Sequence, residues 1–187
     1  MEGDGEIDEY QRVCNAMIER FRDSDLSDIV LTLNCCALLD AETQIDRLPV
    51  DQVRAALEEV GTLNARWTGL YSLACAISSL RNGDLPEAER YSQAGLNSAA
   101  PDSLEQPRPK QQAALHAISS IIHSASDRSG EAKEALVAAR ETIEGHIQHR
   151  GDGSIVGTSA RRPDGSPDWN LLIAEVLIRE AEASLNR

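Results

Sequence analysis

Apolar residues in this chain return every three or four positions, and no segment shows convincing alternation of apolar and polar residues. Ile7, Tyr10, Cys14, Met17, Ile18 and Phe21 form one such series, and Trp67, Leu70, Tyr71, Ala74, Ile77 and Leu80 form another. This spacing lines one face of a helix with 3.6 residues per turn, whereas a half-buried strand needs a period of two. The chain is therefore expected to be all-α. Composition agrees: apolar residues make up 41% but aromatics only 3%, so Ala, Leu and Ile must fill the core. Small side chains of that kind suit closely packed helices and suit sheets badly.

Turn and cap residues divide the chain into about eight helices. The first runs from about Ile7 to Arg22 and is broken by Asp23, Ser24 and Asp25. Ile29 to Leu39 is apolar almost all round, as a buried helix is. Val50, Val53, Leu57 and Val60 mark a third, stopping near Gly61. A fourth, through Trp67 and Leu80, ends at Asn82–Gly83. Asp84 is placed to cap the fifth, with Glu87 three positions on in capping-box spacing and Pro86 in the first turn. The proline-rich segment 101–110 reads as a linker. Leu115, Ile118 and Ile122 mark the sixth helix, and Ala132, Leu136, Ala139 and Ile143 the seventh. Residues 150–167 carry four glycines and two prolines and read as a long mobile loop. Ser166 and Pro167 can then open a last helix over 168–186, with Trp169, Leu172, Ile173, Val176 and Leu177 as its inner stripe.

Short helices joined by short turns call for a search for repeats. The stretch from Gly83 to Leu96 (GDLPEAERYSQAGL) reads like the second half of a tetratricopeptide repeat. Gly83 ends one helix, Ala88 is the small residue at a close crossing, and Tyr91, Gly95 and Leu96 follow. Trp67 to about residue 100 forms the clearer repeat. A weaker one spans 111–149, where Gly130 and Ala135 reproduce the Gly83–Ala88 spacing. Ala88 and Ala135 lie 47 positions apart against a period of about 34, and the 101–110 linker accounts for most of the excess. The expected architecture is a single domain over 1–187: a short right-handed α-solenoid of antiparallel helix pairs, with the 168–186 helix as its cap.

The order of these features also resembles the helical C-terminal accessory region of large bacterial Ser/Thr protein kinases and related multidomain repeat proteins. The resemblance rests on VLTLNCCALL, RLPVDQVRAALEEV, YSLACAISSLRNGDLPEAERY and the closing DWNLLIAEVLIREAEASL. It matches Trp169, Arg179, Glu180, Ala181, Glu182 and Ala183 to the closing pattern and covers roughly Ile29 to Leu185. The second repeat departs from it, lacking the aromatic and carrying Thr142 at the later small position. No Gly-rich kinase loop, HRD or DFG occurs, so the resemblance implies an accessory role and no kinase activity.

No residue set points to catalysis or to a bound cofactor or metal. Cys14, Cys35, Cys36 and Cys75 match neither a zinc framework nor a disulfide scaffold and read as small core residues. His116 and His123, and separately His146 and His149, are spaced to share a helix face, but their spacing supplies no further ligand. The glycines of 151–157 follow a helix and lack a GK[ST] ending, so they are no phosphate loop.

The formal charge of −13 disfavours nucleic acid and anionic lipid and favours a protein or peptide partner with a basic surface. No stretch approaches the roughly 20 apolar residues that span a bilayer. The acidic start MEGDGEIDEY is no secretory signal, and a cytoplasmic location is expected. The expected function is non-catalytic protein–protein interaction, as the accessory region of a larger signalling protein. The alternative is a free-standing adaptor or chaperone that holds a peptide in its groove. Candidate partner-binding residues are Trp67 and Tyr71 on the first helix of the clearer repeat, and the basic pair Arg161 and Arg162 in the 150–167 loop.

Overall fold

The computed structural model describes residues 4–37, 47–60, 65–98, 109–144 and 169–186. Eight α-helices and no strand occur among them: α1 (Asp4–Phe21), α2 (Leu26–Cys36), α3 (Val50–Val60), α4 (Ala65–Arg81), α5 (Leu85–Asn97), α6 (Pro109–Ala125), α7 (Ser129–Glu144) and α8 (Trp169–Leu185). The all-helical expectation therefore holds, and the helices fall close to where periodicity places them. The 101–108 part of the linker, the 150–167 loop and Arg161 and Arg162 within it lie outside the described residues.

Local chemistry explains where the helices begin. The Asp25 carboxylate accepts the backbone N–H groups of Ser27 and Asp28 at 3.0 and 3.1 Å, so α2 starts at Leu26 rather than Ile29. The Asp84 carboxylate likewise accepts the Glu87 N–H at 3.2 Å and starts α5. Only half of the expected capping box forms. The Glu87 carboxylate turns outward to Arg90, at 2.7 and 2.9 Å, and the Asp84 N–H donates to the Ser79 carbonyl instead.

The α4–α5 and α6–α7 turns have the same hydrogen bonding. Gly83 N–H donates to Leu80 and Asp84 N–H to Ser79; Asp127 N–H donates to Ser124 and Arg128 N–H to His123. Gly83 and Asp127 are also the two residues with positive φ, at 73° and 59°. The two pairs are thus equivalent at an offset of 44 positions, which relates α4 to α6 and α5 to α7 at their first residues as well. This corrects the Gly130–Ala135 alignment: Asp127 stands in the place of Gly83, Ala132 in that of Ala88, and Ala139 in that of Gly95. Gly130 lies inside α7. Aspartate tolerates the left-handed conformation that the turn requires, which hides the turn from a search for glycine. Ala88, Ala132 and Ala139 are all fully buried.

The core runs through every helix except the outer faces of α1, α3, α5 and α7. α4 packs on α5, α3 and α2, and α6 packs on α7, α8, α5 and α4. Surrounded in this way, α4 and α6 are buried nearly all round, from Tyr71 to Ser79 and from Ala117 to His123. Small residues permit the close crossings. A Cβ built on Gly95 would come within 2.7 Å of Leu115 Cδ1 and 3.0 Å of Ser72 Cβ, so a larger residue there would have to push α5 and its neighbours apart. At the same crossing Ser92 donates to the Leu115 carbonyl at 2.9 Å.

In α8 the buried residues are Leu171, Ile173, Ala174, Leu177, Ile178 and Ala181, while Leu172 and Val176 are half-buried. The inner face is therefore rotated from the expected stripe. α8 packs chiefly on α6, and contacts with α7 and α2 widen the covered face.

Candidate interaction surfaces

Trp67 and Tyr71 sit one turn apart near the start of α4, with ring centroids 6.0 Å apart and planes tilted by 56°. Helical spacing brings the two rings together. Trp67 is 37% exposed and Tyr71 only 8%, so Tyr71 is chiefly a core residue and Trp67 alone presents a broad apolar edge. Burial, and secondarily the Asp25 carboxylate, holds the Tyr71 phenol above its ordinary pKa, so its hydroxyl stays neutral.

A second surface lies between α7 and α8. The ion pair between Arg140 and Glu182 bridges the groove there, with Arg140 Nε donating at 3.1 Å. On one side of the bridge a hollow of about 420 Å³ is lined by Lys133, Leu136, Val137 and Leu185. On the other side a hollow of about 310 Å³ is lined by Ile143, Glu175, Ile178 and Arg179. Both mix apolar floors with charged rims, as protein-binding surfaces do. Sequence reasoning missed this groove, although Val137 is the most exposed large apolar side chain among the described residues, at 53%. A third hollow, of about 450 Å³, lies between the 47–51 segment and α4. Its arginines are engaged, Arg47 with Glu19 and Arg54 with Asp51.

Part of α4 is covered by α2. α2 packs on both α4 and α8, and Arg81 fastens it there. The Arg81 guanidinium donates Nε to the Ala37 carbonyl at 2.8 Å, satisfying an end of α2, and grips the Glu180 carboxylate with two bonds of 2.6 and 2.7 Å. Its side chain is 8% exposed and that of Glu180 31%. Tyr10 ties α1 to the same end of α2 by donating to the Cys35 carbonyl at 2.7 Å. Comparisons of the chain with protein-family models, curated proteins and solved structures gave no significant match.

The other sequence candidates remain apart. His123 is buried with Nδ1 unbonded, 3.7 Å from Glu131 and 3.9 Å from Glu89, and both carboxylates are bound by Arg128 at 3.3 and 3.0 Å. His116 is half-buried, and desolvation lowers its pKa. His146 and His149 lie outside the described residues. No group of three metal-ligating side chains occurs among the described residues. The four cysteines are free. Cys36 meets Cys14 across the α1–α2 contact, its Sγ 3.8 Å from the Cys14 carbonyl, rather than pairing with adjacent Cys35. Burial pushes the Cys35 thiol up to about 11 and that of Cys75 to about 12, which keeps both protonated and unreactive. No described helix is long and apolar enough to cross a membrane.

Proposed function

We propose that this chain is a non-catalytic protein–protein interaction module, a short right-handed solenoid of antiparallel tetratricopeptide-like helix pairs. In this reading it serves as the accessory region of a larger signalling protein such as a Ser/Thr kinase. The observation that carries the reading is the 44-position equivalence of α4–α5 with α6–α7, with α8 seated on α6 as the next helix of the stack. A stack of equivalent pairs presents long, shaped outer surfaces and leaves the contacts with neighbouring pairs to hold the fold. The signalling context rests on the resemblance of the turn before α5 and of the closing REAEA segment to kinase accessory regions. Glu180 of that segment is held in a bidentate ion pair by Arg81, the last residue of α4, two positions before that turn begins.

The packing of α2 on α4 and α8 weighs against the adaptor reading, because a peptide bound on the face of α4 that α2 occupies would have to displace it. The outer edge at Trp67 and the α7–α8 groove remain open to a partner. Affinity capture with the immobilised chain, run beside Trp67→Ala and Val137→Arg variants, tests the proposal. A protein retained by the parent chain and lost with one variant supports it. Retention of the same proteins by all three chains, or of none at low salt, counts against it.

A further inference from the structure

Val137 stands at the middle of α7 in a stripe formed by Gly130, Lys133, Glu134, Arg140, Glu141 and Glu144, all of them exposed. The charges in this stripe are complementary to themselves when reversed. In a second copy of α7 laid antiparallel about a two-fold axis at Val137, Lys133 faces Glu141 of the other copy and Glu134 faces Arg140. Glu144 then faces Gly130, in the first turn of the opposite helix, where unpaired N–H groups favour an anion. A parallel arrangement in register would set each charge against its like. Lys133, Glu134 and Glu141 have no ion-pair partner among the described residues, and Arg140, paired with Glu182 at the groove edge, has further donors to offer. The hollow of about 420 Å³ beside Val137, floored by Leu136 and Leu185, gives the opposing Val137 a place to enter.

We infer that this face of α7 is an isologous contact through which two copies of the chain associate. The contact goes beyond the proposed interaction with other proteins and does not depend on it. One helix pair buries little area, so the dimer is weak and concentration-dependent. The net charge of −13 repels the two copies at low salt. Near physiological ionic strength a Debye length of about 8 Å screens that repulsion but spares charges in contact.

Sedimentation velocity over roughly three decades of concentration up to about 1 mM tests the inference. The parent chain should pass from monomer to dimer. Lys133→Glu, which sets like charges together twice, should weaken association by at least about tenfold. The double swap Lys133→Glu with Glu141→Lys should restore it, and Val137→Arg should abolish it, with helical circular dichroism unchanged throughout. Should a variant fail to fold, Val137→Cys gives a second readout: mild oxidation should link it into covalent dimers, while the exposed control Gln93→Cys stays monomeric. A chain monomeric at about 1 mM overturns the inference, as does a dimer indifferent to these substitutions or a double swap that restores nothing. If the chain stays monomeric while Val137→Arg loses a captured protein, the stripe belongs to a different partner and the second copy is again excluded.

Discussion

Gly95 illustrates how a single hydrogen atom in place of a methyl sets the spacing between helices. Alanine favours a helix interior by about 1 kcal/mol over glycine, so in open space Gly95→Ala would stabilise α5. At this position the added methyl meets Leu115, which is fully buried, and the Cβ of Ser72, which only backbone motion can shift. Overpacking of this kind costs about 1–3 kcal/mol and outweighs propensity. Gly95→Ala is expected to lower stability by about 1–2 kcal/mol in urea unfolding; an unchanged or raised midpoint would mean that α5 and α6 are farther apart. His116 adds a dependence on pH. Burial lowers its pKa below the ordinary 6.5, so the unfolded chain binds the proton more readily. This contribution is fully present above about 6.5 and is lost as pH falls from there through the lower folded value. The urea midpoint should therefore fall over that window, and His116→Gln should flatten the dependence. A midpoint that responds equally in both chains would assign the effect to other groups.

At the scale of elements, what could be read from sequence was what local chemistry decides. The 3.6-residue period marked the helices, and Asp84, Pro86 and Gly83 marked one turn, because caps and turns are made by residues adjacent in sequence. The second turn escaped because Asp127, not glycine, carries the positive φ there. The rotation of α8 escaped because it depends on how α6, α7 and α2, far away in the chain, pack around it. The Arg81 junction could not be read, since its partners Ala37 and Glu180 are far away in the chain. It joins α2, α4 and α8 and is expected to matter more than its exposed edge implies. Removing Arg81 strands a carboxylate that is about a third exposed, so Arg81→Ala should cost about 2–4 kcal/mol, toward the low end for breaking a buried pair. Combining it with Glu180→Ala in a double-mutant cycle should give a coupling of about 1–3 kcal/mol. Strict additivity would show that the two side chains act independently. Of the candidate residues read from sequence, Trp67 is at the surface and Tyr71 is mostly core, and the α7–α8 groove depends on how neighbouring helices meet.

For the whole molecule, the expected consequence is one cooperative stack in which α8 is as integral as α6. Leu171, Ile173, Leu177 and Ile178 are buried, and each contributes roughly 1.5–3 kcal/mol before entropy is counted. Their sum is comparable to the net stability of about 5–15 kcal/mol typical of a domain. Deleting residues 168–187 also exposes the face of α6 and leaves Arg81 without Glu180, so the shortened chain should aggregate or unfold without a sharp transition. A truncated chain that melts as sharply as the parent would make α8 an appendage. Native-state hydrogen exchange tests the central claim most directly, because it reads the opening free energy of each segment in the intact protein. Amides from Ile173 to Ala181 should exchange as slowly as those from Ala117 to His123, with both sets limited by global unfolding. If the α8 amides exchange orders of magnitude faster while α6 stays protected, α8 opens on its own and the single closed stack is wrong.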